Sequence, residues 1–211
     1  MTTLNAALRY AALRRRIPYA PPVELPPKGA AKDRWLTKEE AKGLLGASAP
    51  HLQRFIKIAL ATGRRKSAIL RLKWVPSVDS GWVDLDQGVI HFLGLAEEET
   101  KKRKGIVRIP HGLLNEMKSW DQSGPYVISL EGDAIANVRK AFDGAVKRAG
   151  LNGVTPHTLK HTAVTWAFMN GMMLEQAVDF FATSRDTLED VYRSYSPEAQ
   201  KEAAGLMDHG L

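Results

Sequence analysis

The sequence predicts an α+β domain that is mainly α with a small antiparallel β-sheet. Three observations predict it: apolar residues recur at helical spacing along most of the 211 residues, two β-type runs flank a tight Asp86-Gln87-Gly88 turn, and a third run, 105–109, stops at Pro110. With 44% hydrophobic and 25% charged residues the chain can bury a sizeable core, which excludes a disordered, collagenous or low-complexity protein.

Residues 2–16 read as a helix with Leu4, Ala7, Leu8, Ala11 and Leu13 on one stripe, and the Pro-rich stretch that follows reads as a linker. The expected organisation is therefore a helical piece at 1–17, a linker at 18–32 and a main domain at 33–211. Within that domain Thr37 and Glu40 form a capping box for a helix through Leu45. Residues 51–62 place Leu52, Phe55, Ile56, Ala59 and Leu60 on one face, Gly63 can end that helix, and Ala68, Ile69 and Leu72 mark a short one after it. Strands are expected at 82–86, 89–93 and 105–109, and helices at 111–120 and 133–149, the latter with Gly150 as its stop. Thr155-Pro156 is a strong helix start, closed by Gly171. Shorter helices are expected near 174–181, 184–191 and 197–207.

No window approaches the roughly 20 apolar residues of a membrane-spanning helix, and the start lacks the apolar run of a secretory signal. The absence of cysteine excludes disulfides, thiolate catalysis and Cys-ligated zinc, and permits a cytosolic address. No H-E-x-x-H pair suggests zinc and no G-x-S-x-G elbow suggests a serine hydrolase.

The formal charge is +7, unevenly spread, from about +5 over residues 1–34 to −5 over 175–211. Two dense basic clusters, Arg64-Arg65-Lys66 with Arg71 and Lys73, and Lys101-Lys102-Arg103-Lys104 with Arg108, make a polyanion the natural partner. On the helix opened by Thr155-Pro156, His157, Lys160 and His161 fall at i, i+3 and i+4 and share one face near free backbone N–H groups, a plausible grip for a phosphodiester.

Taken together with ATGRRKSAILRLKW at 61–74, TKKRKGIVRIP at 100–110 and DTLEDVYRSYSPE at 186–198, this order of motifs resembles the tyrosine recombinase, or phage integrase, family. The resemblance covers the catalytic domain, and the N-terminal helix resembles the end of the family's preceding core-binding domain. It implies that Arg65 is the first catalytic arginine, with Arg64 in the variable slot of T-G-x-R. It places the catalytic lysine at Lys101, with Lys102 and Lys104 as close alternatives, and the H-x-x-R box at His157 with Lys160 in the arginine's place. Thr183 occupies a slot usually filled by His or Trp, Ala68 one where many members have a carboxylate, and Tyr192 is the expected nucleophile with Tyr195 as a rival three residues on.

The resemblance further implies duplex DNA as substrate, a 3′-phosphotyrosyl intermediate, and neither metal nor nucleotide cofactor. It also implies a homotetramer on synapsed DNA, with a monomer open as the state without DNA, and a bacterial or phage-encoded protein of the cytoplasm and nucleoid. Arg64, Lys66, Lys102, Arg103, Lys104 and His161 are the expected DNA contacts. In that chemistry a phenol of pKa near 10 needs a proton acceptor and cations to hold the growing phosphorane charge. Two other readings stay open: a degenerate relative that binds DNA without cutting it, and a helical interaction or RNA-binding module whose basic hairpin neutralises phosphates.

Overall fold

The computed structural model describes residues 2–23, 34–97, 105–197, 201, 204 and 205. The chain divides into two compact units, residues 1–33 and 34–211. In the first, helix α1 spans Thr2–Leu13. It ends before the expected residue 16 because Arg15 turns to φ 53°, with Arg15 N–H bonded to Ala12 O and Arg16 N–H to Ala11 O. This Schellman closure satisfies the last carbonyls. Most of the expected linker, and most of the expected helix at 197–207, lies outside the described residues.

The second unit is mainly helical around one small antiparallel sheet, as expected. Helix α2, Lys38–Gly46, opens with the predicted capping box: Thr37 Oγ1 accepts from Glu40 N–H and the Glu40 carboxylate accepts from Thr37 N–H. Helix α3, Pro50–Thr62, buries Leu52, Phe55, Ile56, Ile58 and Ala59, and short α4, Lys66–Leu70, follows it. The sheet runs in the order β1 (Trp82–Asp84), β2 (Val89–His91), β3 (Ile106–Arg108), antiparallel throughout. Val83, Ile90 and Val107 face the core from three neighbouring register positions. All three strands are shorter than expected, and β1 ends early because Asp84 Oδ1 accepts from Gln87 N–H at 2.8 Å, which takes residues 85 and 86 out of the ladder.

Helix α5 is His111–Lys118. The expected helix at 133–149 is corrected at its first turns. Ser129–Leu130 (β4) and Asp133–Ala134 (β5) form a two-stranded hairpin over Glu131 and Gly132, both at positive φ, and α6 spans only Arg139–Arg148. Asn137 sets that start, its Oδ1 accepting from Arg139 N–H at 3.0 Å. Ile135 and Val138 have helical spacing and still reach the core, one partly and one fully buried, from non-helical backbone.

Helix α7, Pro156–Met169, begins at Thr155 as expected, and α8, Leu174–Phe181, keeps its expected bounds. Helix α9, Arg185–Tyr195, runs past the expected residue 191 and so carries Tyr192. Leu159 of α7 belongs to the main core with α2 to α6 and the sheet, whereas Ala163, Val164 and Phe168 pack with Leu174, Ala177, Phe181 and Leu188 of α8 and α9. Two bonds fasten α7 to the start of the unit: Leu36 N–H donates to Thr162 Oγ1 and Trp166 Nε1–H donates to Leu36 O, each at 2.9 Å.

Candidate phosphodiester site

The turn between α3 and α4 places the first arginine. Gly63 closes α3 at φ 58°, its N–H bonded to Ala59 O, and a Cβ there would lie 2.4 Å from a ring carbon of Phe181. Gly63 thus lets α8 approach the turn closely and swings Arg65 outward as the N-cap of α4. Arg65 is exposed, while Arg64 is 7% exposed and lays its guanidinium 5.0 Å from the centre of the Phe92 ring. Burial, and secondarily the charge of Arg65, pushes Arg64 down to about 10. Arg64 is thus seated beneath the turn, and it still lines a cavity together with Arg65, Lys66 and Lys160.

Helix α7 brings up the second group. His157, Lys160 and His161 share a face as their spacing predicts, with the two imidazoles edge-on at 4.7 Å. Together with Arg65 they line a cavity of about 340 Å³. Its far wall comes from the end of α8 and from α9: Thr183, Ser184, Thr187, Leu188 and Val191. Ala182 caps α8 at φ 46°, an uncommon conformation for a side chain, and this turn aims Thr183 back at α7. Lys160 Nζ donates to Thr183 Oγ1 at 2.7 Å, so the two residues that depart most from the family pattern are bonded to each other.

The site is strongly cationic. Burial, then Arg65 and Arg64, pushes the Lys160 ammonium down to about 8. His157 is also lowered, by burial first and then by His161, Lys160 and Arg65, which leaves it mainly neutral at pH 7. A neutral imidazole can accept a proton and a crowded ammonium can release one. An anion in this cavity would oppose the cationic part of both shifts.

A second cavity of about 310 Å³ shares Arg65, His157 and Lys160 and adds Lys66, Arg139 and the Thr155-Pro156 helix start. Lys66 Nζ donates to Asn137 Oδ1 at 3.1 Å. Arg139 was not among the expected site residues, and neither were Ser184 and Thr187. Arg139 has an i,i+4 partner in Asp143 and reads locally as a surface helix residue, so only the tertiary fold brings it beside Lys66.

Tyr192 adjoins a lining residue of the cavity but does not itself line it. Val191 lines the wall, whereas the half-buried Tyr192 ring stands edge-on to Phe168, with centroids 5.2 Å apart. Its rival Tyr195 accepts a hydrogen bond from Trp35 Nε1–H at 3.1 Å. Lys101, Lys102, Arg103 and Lys104 lie outside the described residues. Among the described residues no group of three His, Asp or Glu comes together as metal ligands.

The model of the phage integrase family matches residues 34–196. The integrase of Salmonella phage P22 is 28% identical over 165 residues, covering 72% of this chain and 41% of that protein. The chain thus spans less than half the length of that relative. Among solved structures, the catalytic domain of bacteriophage HP1 integrase superposes with a TM-score of 0.59 at 20% identity, covering 81% of this chain and 93% of that one. The Tn1549 transposon integrase, solved in complex with circular intermediate DNA, superposes with a TM-score of 0.68 at 17% identity, covering 98% and 77%.

Proposed function

Because the chain belongs to the phage integrase family, we propose that it cuts and rejoins duplex DNA by transferring a phosphodiester to Tyr192 and back to a DNA hydroxyl. The observation that carries this reading is convergence. Arg65, His157, Lys160 and Thr183 come from three separate stretches of chain and meet at one cavity.

In this reading Arg65 clamps the two non-bridging phosphate oxygens and Lys160 adds a point charge beside one of them. The Tyr192 oxygen attacks phosphorus, its proton passes to the neutral imidazole of His157, and the 5′-oxygen leaves. Lys101, which falls between β2 and β3 in sequence, supplies the proton for that oxygen. A 3′-phosphotyrosyl bond forms as the phosphodiester bond breaks, and attack by a 5′-hydroxyl reverses the exchange. The ring of Tyr192 must leave Phe168 for the first step. Assembly as a homotetramer on two synapsed duplexes, and a bacterial or phage origin with action in the cytoplasm, belong to the same proposal. Among the described residues no helix is long and apolar enough to cross a membrane.

The test is covalent trapping on nicked duplex DNA whose cleaved end diffuses away. The expected result is an SDS-stable adduct that Tyr192→Phe abolishes; an adduct that survives this change would reassign the nucleophile, with Tyr195 next in line. A second reading, DNA binding without cleavage, is favoured by the lysine at 160 and by the seat of Tyr192 on Phe168. It predicts no adduct from the parent chain and recovery of one in Lys160→Arg.

A further inference from the structure

The Thr183 hydroxyl has one proton, and the structure uses it. Thr183 Oγ1 donates to Phe181 O at 3.1 Å and accepts from Lys160 Nζ at 2.7 Å. Lone pairs, not the proton, therefore face the cationic side of the cavity. A phosphate oxygen is an acceptor and gains nothing from another acceptor. The imidazole or indole that the family resemblance expects at this position carries an N–H donor, so Thr183 cannot be a small replacement for it.

We propose that Thr183 is a positioning residue: a fixed acceptor that holds the Lys160 ammonium at the phosphate cavity, so that of these two side chains it is Lys160 that makes the contact to substrate. This rests on the phosphodiester reading above. The physical need follows from the lysine. A guanidinium presents its donors as a rigid planar fork, so less is lost per hydrogen bond it forms, whereas an ammonium sits on a flexible stem and must be held to make the same contact. Thr183 is well suited to hold it. Its side chain is β-branched and stiff at χ1, its hydroxyl is tied to the backbone of the buried Phe181, and the left-handed Ala182 between them fixes the direction. One ammonium N–H goes to Thr183 and two are left for an anion.

Among the described residues that line the cavity or act on Lys160, the polar groups are Arg64 and Arg65 from the α3–α4 turn, His157 and His161 from its own helix, and the hydroxyls of Thr183, Ser184 and Thr187 from the opposite wall. None of these is acidic. The ammonium is held by a neutral acceptor among cations, an arrangement that keeps it available to an incoming anion in place of neutralising it.

The experiment is NMR of the full chain with isotope-labelled lysine, the Lys160 signal being assigned by its loss in Lys160→Arg, and inorganic phosphate as the probe. In the parent chain the Lys160 signal should titrate well below the other lysines and shift on phosphate addition. Thr183→Val, nearly the same size, should mobilise that signal and weaken phosphate binding about 5- to 10-fold, and Thr183→Ser should restore both. In a Lys160→Arg background the same Thr183→Val change should alter phosphate affinity less than twofold. Equal losses in both backgrounds, or no loss with lysine present, would overturn the positioning role. Phosphate binding indifferent to both Arg65→Ala and Lys160→Met would instead overturn the phosphodiester reading of the cavity, and the proposal with it.

Discussion

Gly63 has two independent reasons to be glycine. Its φ of 58° disfavours any other residue, and an added Cβ would meet the Phe181 ring at 2.4 Å. Gly63→Ala should therefore destabilise the protein by about 1–3 kcal/mol from backbone strain, with the ring clash adding to that. Thermal or urea unfolding checks it, and a melting curve like the parent's would mean that α8 stands further off than described. Lys160 makes a second prediction, about pH. Its folded value of about 8 lies below the ordinary 10.5, so between those values the unfolded chain binds the extra proton and stability rises with pH. Comparing melts at pH 7.5 and 9.5, the parent should gain relative to Lys160→Met, which has nothing to titrate; parallel behaviour would argue against the shift. The His157–Lys160 pair was legible in sequence because two side chains three apart on a helix share a face wherever the helix lies. The bond from Lys160 to Thr183 was not, because it depends on a left-handed alanine that no local pattern announces.

Among the elements, α7 connects the two packing groups, presenting Leu159 to one and Phe168 to the other while His157, Lys160 and His161 line the cavity. Phe168 is fully buried, and Phe168→Ala should cost about 3–5 kcal/mol of stability, measured by denaturant unfolding. The same change removes the surface on which Tyr192 rests, so adducts in the trapping assay should form faster per folded molecule; a slower rate would mean that this contact positions the tyrosine for attack. Element existence followed closely from caps and periodicity in α2, α7 and α8. The misreading at 133–138 has a definite cause. Ile135 and Val138 satisfy helical spacing, but Asn137 bonds the Arg139 backbone and the 129–134 hairpin takes the preceding residues, and such competition between side-chain and backbone partners is invisible to an apolar count.

At the scale of the whole molecule, the two adjoining cavities form a basic track from Thr187 through Arg65 and Lys160 to Lys66 and Arg139. Duplex affinity should fall steeply with salt, and Lys66→Ala and Arg139→Ala should each reduce the slope of log affinity against log salt by about one if each holds a phosphate. An unchanged slope would remove that residue from the DNA footprint. Net charge and its clustering pointed to a polyanion, while the path across the surface needed the fold, since Lys66 and Arg139 are distant in sequence. One further contact spans the second unit: Trp35, beside its first residue, donates to Tyr195 at the end of α9 and meets that ring edge-on at 5.9 Å. Any shift of α9 that carries Tyr192 toward a phosphate must move Tyr195 three residues on, and so change the solvent and quenching around one indole. The molecule therefore contains its own optical gauge of readiness. Among its five tryptophans, the emission lost in Trp35→Phe should report when α9, which carries the proposed nucleophile Tyr192, leaves its resting seat, with no label attached.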